Sequence, residues 1–119
     1  MFGLSRYISD TRELGISTGV IRDKRFVTTD GGQKVKECVA TDIPLGGSHN
    51  AAAAADAEVV WSGNGGGILE AGAAVTKGQG LKPDAQGRAV PATVGTHHVA
   101  ALALNDATQA GDEVEVYYL

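Results

Sequence analysis

The sequence predicts an all-β (mainly β) chain, and three observations carry that prediction. Seventeen of its 119 residues are glycine, about twice the usual ~7%, and they separate short apolar segments without a collagen period. No stretch sustains a helical period. From Asp112 to Leu119, by contrast, Val114, Val116 and Tyr118 alternate with Glu113, Glu115 and Tyr117, the pattern of a half-buried strand. Several such short segments divided by turn residues describe a small barrel or sandwich.

Taken in order, the segment from Met1 to Ser17 mixes apolar and charged residues without either period, and reads as an extended arm over residues 1–17. From Arg25 to Ala40, two Val- and Thr-containing segments flank Asp30-Gly31-Gly32. Adjacent glycines supply the positive φ of a tight turn, so a β-hairpin is expected there. Pro44 to Glu58 is a loop signature running into the alanines Ala51 to Ala55, too short for a stable isolated helix and read as a connector. Hairpin and connector, residues 18–58, are expected to pack on a β-barrel formed by residues 59–119, with 18–119 as one domain. Within that barrel, Pro83 to Gly87 has strong turn chemistry, and Ala89 to Thr93 follows as a short strand. His98 to Leu104 is apolar on both faces, as in a strand buried on both sides.

Composition narrows the function classes. Val, Ile, Leu and Phe account for only 27 residues; much of the remaining apolar content is alanine, which buries little area, so the core is thin and gains from a partner subunit. A net charge of -4 opposes sequence-independent binding to nucleic acid, whose affinity comes from neutralising phosphates. Cys38 is the single cysteine, which excludes an internal disulfide. No leader pattern opens the chain, which fits folding in a reducing cytoplasm. No apolar run approaches the ~20 residues of a membrane span.

Several motifs invite chemistry and have plainer readings. Gly63-Asn64-Gly65-Gly66-Gly67 lacks the Lys and Ser/Thr of a phosphate loop, and Ile68 stands where a dinucleotide fingerprint needs glycine, leaving a flexible turn. Gly46-Gly47-Ser48-His49-Asn50 approaches a nucleophile elbow but ends in Asn50, and reads as a surface loop. His97 and His98 would face opposite sides of a strand and so cannot share a metal. Asp112, Glu113 and Glu115 lack a calcium-loop pattern and form a solvated face. Cys38 has no cationic neighbour on either side to activate it and is read as core or edge filler. Trp61, the only tryptophan, is either a core plug or an interface anchor. Arg22, Lys24, Arg25, Lys34 and Lys36 form either a solvated face or a surface for docking on an acidic partner. No base, nucleophile and oxyanion site come together, so no enzyme, metal or cofactor is expected.

The run AGAAVTKGQGLKPDAQGRAVPATVG, followed by HVAALALNDATQAGDEVEVYYL, resembles the head decoration, or cement, proteins of tailed bacteriophages. The matching pattern is a Gly-led entry from Gly72 to Lys82, a hairpin at Asp84 to Gly87 and a Val-Pro-Ala strand from Val90 to Ala92. An apolar strand from Val99 to Leu104, a corner from Ala110 to Asp112 and a closing strand from Glu113 to Val116 complete it. The match covers roughly residues 68–119. The resemblance implies a β-tulip-like domain and a non-enzymatic virion protein. Such a protein is made in the bacterial cytoplasm and assembles as a homotrimer on the capsid exterior, binding the major capsid protein and reinforcing capsomer junctions. On that reading Phe2, Leu4, Tyr7, Ile8, Leu14 and Ile16 of the arm, with Arg22, Lys24, Arg25 and Trp61, are the interface candidates. The main alternative is a phage tail or host-recognition module that binds a surface glycan. A small hydrolase or metal enzyme would have only Ser48, His49, His97 and His98 to draw on.

Overall fold

The computed structural model describes residues 12–31, 34–93 and 95–119, and every regular element among them is a β-strand. In chain order these are β1 (Arg12–Ser17), β2 (Phe26–Thr29), β3 (Lys34–Glu37), β4 (Gly46–Ser48) and β5 (Glu58–Ser62), then β6 (Gly65–Glu70), β7 (Gly80–Pro83), β8 (Ala89–Pro91), β9 (Ala101–Ala103) and β10 (Glu113–Tyr118). The first five close a barrel in the order β1-β3-β2-β4-β5, and the last five form a sheet in the order β6-β10-β9-β7-β8. The fold class is therefore the expected one.

The division of the chain differs from the expectation. Residues 12–17 of the expected arm form a barrel strand, because both of its edges find partners. Gly15 lies opposite Val59 in antiparallel β5, and Ile16 lies opposite Lys34 in parallel β3. Residues 1–11, which include Phe2, Leu4, Tyr7 and Ile8, lie outside the described residues. The closed barrel uses residues 12–62 rather than 59–119, and the second half of the chain makes the other sheet. That sheet curls until Ala71, just after β6, bridges Ala89 in β8.

The Arg25 to Ala40 hairpin is β2–β3, with Val27 opposite Glu37 and Thr29 opposite Val35, and Gly31 takes the positive φ of 82° that its turn requires. β10 alternates as expected: Val114, Val116 and Tyr118 are buried and Glu113 and Tyr117 exposed. The strand around Leu102 departs from expectation. Only Ala101–Ala103 is regular, its alanines face the core, and Leu102 is half-buried on the other face. His97 and His98 lie before it in an exposed turn region rather than on a strand.

Two glycine-rich segments expected to be loops are strands. In β4, Gly46 lies so close to β5 that an added Cβ would overlap the Ser62 carbonyl. At Gly63 to Gly67 only the first two residues turn, and Gly65 begins β6. The Tyr118 side chain covers both segments. A Cβ on Gly67 would meet the tyrosine ring at 2.7 Å, and one on Gly47 would overlap its hydroxyl. Glycine is used here so that the hydroxyl end of an aromatic ring can lie close against backbone, a packing solution that has no periodic signature.

Burial falls into two clusters. The barrel encloses Ile21, Val27, Val35, Ala52 and Val59. The larger cluster lies inside the curled sheet and includes Leu69, Leu81, Val114, Val116 and Tyr118, together with Phe26 and Cys38. Phe26 thus belongs to a barrel strand by hydrogen bonding and to the other core by packing.

A candidate binding site at the barrel mouth

The two ends of the barrel are finished differently. At one end Ile21 bridges Ala52, and the Ser17 hydroxyl donates to the Ala54 carbonyl at 2.9 Å. The alanine run is therefore a strap that stops this end, with Ile21 and Ala52 both buried. The opposite end, where β1 and β3 begin and β2 and β5 finish, holds a hollow of about 190 Å³. It is lined by Glu13, Leu14, Gly15, Val27, Thr28, Thr29, Lys34, Val35, Leu45 and Trp61.

Strand alternation explains the inward part of this lining. Buried Gly15 and Ser17 put the odd positions of β1 on the inward face, which places Glu13 inward at the mouth. Glu13 lies directly opposite Trp61, so a carboxylate and an indole are cross-strand neighbours. The indole pyrrole edge lies over Gly15, where a Cβ would approach Trp61 Nε1 to 3.3 Å. Trp61 is therefore neither a full core plug nor a free surface anchor: it is half-buried, packed on the barrel core below and facing the hollow above. Glu13 and Thr29 were not singled out from sequence; their alternation with Gly15 and Val27 was the available signal.

Arg22, Lys24 and Arg25 reach across the seam between barrel and sheet, whereas Lys34 and Lys36 pair within the first half of the chain. Arg25 is 7% exposed and donates to the Gln86 carbonyl at 3.0 Å and to Glu70 Oε1 at 3.1 Å. Burial removes it from any docking surface and makes it part of the fold. Arg22 donates through its backbone N–H and its guanidinium to Glu37, at 2.9 Å and 3.2 Å to Oε2, and these hydrogen bonds hold its pKa above the ordinary value. Lys24, at a left-handed φ of 57°, pairs with Asp23 at 3.0 Å and Glu113 at 3.3 Å, which raise its pKa. Lys34 meets Asp56 at 3.1 Å and Lys36 meets Asp42 at 3.4 Å.

The residues of the hydrolase alternative are scattered. Ser48 is buried and donates to the Arg22 carbonyl at 2.8 Å. His49 Nε2 lies 2.6 Å from Ser62 Oγ, whereas His97 Nδ1 accepts from the Thr93 N–H at 2.9 Å. Among the described residues no group of three or more His, Cys, Asp or Glu is placed to hold a metal ion. In the acidic C-terminal segment, hydrogen bonds from Thr108 hold the Asp112 carboxyl below its ordinary value.

Cys38 is 1% exposed, and its thiol is pushed up to about 12, chiefly by burial. A raised pKa means that the protonated thiol is the folded form. Its contribution to stability is full below the unfolded value of 9.0 and is lost as pH rises toward 12. The native protein is expected to resist a disulfide reagent at pH 8 and to react rapidly once urea unfolds it. Rapid stoichiometric labelling of the folded chain would contradict the buried placement.

Exposed apolar side chains lie on and near the mouth and elsewhere. Leu14 is 66% exposed, Leu45 47% and Ile43 63%, and Ile16 stands outward on β1 at 36%. Tyr117 and Leu119 are also exposed, at the other end of the sequence.

No family model matches the chain, and no curated protein matches it. Among solved structures it is similar to the head fiber gp8.5 N base in bacteriophage phi29, with a TM-score of 0.77 over 92% of this chain and 94% of that one. Sequence identity across that match is 18%, so what the two chains share is the fold, at nearly their whole length.

Proposed function

We propose that this protein is a structural component of a bacteriophage head, which binds the outer surface of the mature shell and stabilises the junctions between capsomers. The observation that carries this reading is the fold likeness to a phage head fiber base over nearly all of both chains. The decoration-protein pattern of residues 68–119 supports it from a separate direction. Its role is binding rather than catalysis, with the major capsid protein as partner and the homotrimer as the working form. The thin core and the exposed Leu14, Ile43, Leu45, Tyr117 and Leu119 favour association with further protein surface.

The mechanism is mass action. A ligand that binds the assembled shell, and not its separated parts, stabilises the shell, and three linked copies multiply the effect through effective concentration. Purified protein mixed with undecorated mature heads is expected to co-sediment saturably at a fixed copy number. Absence of co-sedimentation at micromolar concentration would overturn the proposal.

A further inference from the structure

The geometry points to a saccharide site at the barrel mouth, where one neutral hexopyranose residue of a surface glycan is held between Glu13 and Trp61. This inference goes beyond the head role and does not depend on it.

Four observations carry it. The hollow is about 190 Å³, well below the roughly 300–1,000 Å³ of pockets for drug-sized ligands, so it takes one ring rather than an extended molecule. Its floor is apolar, made by Val27 and Val35, and an indole forms one wall. Among the described residues, neither the Glu13 carboxylate nor Trp61 Nε1–H has a hydrogen-bond partner, although they are cross-strand neighbours. The rim adds the Thr29 hydroxyl, whose own donation is a long 3.4 Å contact to the Lys34 carbonyl.

The ligand that answers these groups must donate to a carboxylate, accept from an indole N–H and present an apolar face to a tryptophan. A pyranose does all three, since its hydroxyls both donate and accept and its axial C–H groups form an apolar face. A phosphate or carboxylate ligand is disfavoured, because Glu13 would repel it and the nearby Lys34 is paired with Asp56. The mouth of a small barrel is also where such folds accept small ligands.

The experiment is a titration of the 119-residue protein with a panel of neutral hexoses and N-acetylhexosamines, read by the single indole N–H resonance and by Trp61 fluorescence. Saturable shifts at Trp61, Gly15 and Thr29 are expected, with a millimolar dissociation constant for one sugar. Trp61 packs on the barrel core, so Trp61→Ala risks unfolding; Glu13→Gln at the rim is the informative variant. It is expected to keep the native spectrum and to weaken binding about tenfold, whereas Glu58→Gln at the opposite end of the barrel leaves binding unchanged. Absence of any saturable shift across the panel overturns the proposal, and so does a response that Glu13→Gln leaves intact. Capsid co-sedimentation is measured separately, so the failure of either reading is recognisable on its own.

Discussion

Replacing Phe26 with alanine is expected to destabilise the protein by about 3–5 kcal/mol, a fifth or more of the ~5–15 kcal/mol that holds a typical domain together. The size of the effect follows from where the ring lies. Phe26 is fully buried, and it packs in the cluster of the second sheet while its backbone pairs with Gly47 in the barrel. Its N–H also donates to the Gly87 carbonyl at 2.8 Å, tying β2 to the turn between β7 and β8. Removing the ring therefore opens a cavity in one half and loosens the anchor of the other. Urea unfolding should show this with two probes: Trp61 fluorescence for the barrel and amide exchange of β10 for the sheet. Both transitions are expected to shift together to lower urea. A shift in only one of them would show that the halves unfold independently.

The second large effect is expected at Arg25. Arg25→Ala removes a guanidinium that is almost completely buried and leaves Glu70, only 30% exposed on its side chain, short of its nearest cation. Breaking such a pair costs about 3–5 kcal/mol. The lower end applies here because Arg88 remains within 3.9 Å of Glu70. Arg25→Lys should recover little, since one ammonium cannot fork between the Gln86 carbonyl and Glu70 as the guanidinium does. A double-mutant cycle with Glu70→Ala is expected to give a coupling of about 1–3 kcal/mol. Coupling near zero would mean that Arg25 acts through packing of its aliphatic stem alone.

How much of this was legible in the sequence depends on which force shaped each element. β10 was readable because one face is wet and the other dry, and that contrast is written as alternation. The β2–β3 hairpin and the turn at Asp84 were readable because turn chemistry is local: Asp84 Oδ1 accepts from the N–H groups of Gln86 and Arg88 at 2.8 and 2.9 Å. β4 and the start of β6 were not, because their signal lies in what glycine lacks, and only the distant Tyr118 shows why it must be lacking. The barrel was assigned to the wrong half of the chain for a related reason. Its closure depends on β1 meeting both β3 and β5, pairings between segments far apart in sequence that no local pattern encodes. Arg25 read as a surface charge because a composition count cannot see that Glu70, Gln86 and the seam surround it. At the mouth, Trp61 was singled out by its rarity, and Glu13 escaped notice because one carboxylate near a strand start is ordinary until its cross-strand neighbour is known.

The divided loyalty of Phe26 also bears on how the chain is made. Ribosomal synthesis delivers all five barrel strands before the first strand of the sheet is complete, so the barrel can close while its second strand still presents a bare phenyl ring. Until Leu69, Leu81 and Val114 follow, the nascent half-protein carries a sticky spot with nothing to cover it. A chain interrupted after Ser62 would leave this ring uncovered, whereas Leu69, Leu81 and Val114 bury it once the sheet is present.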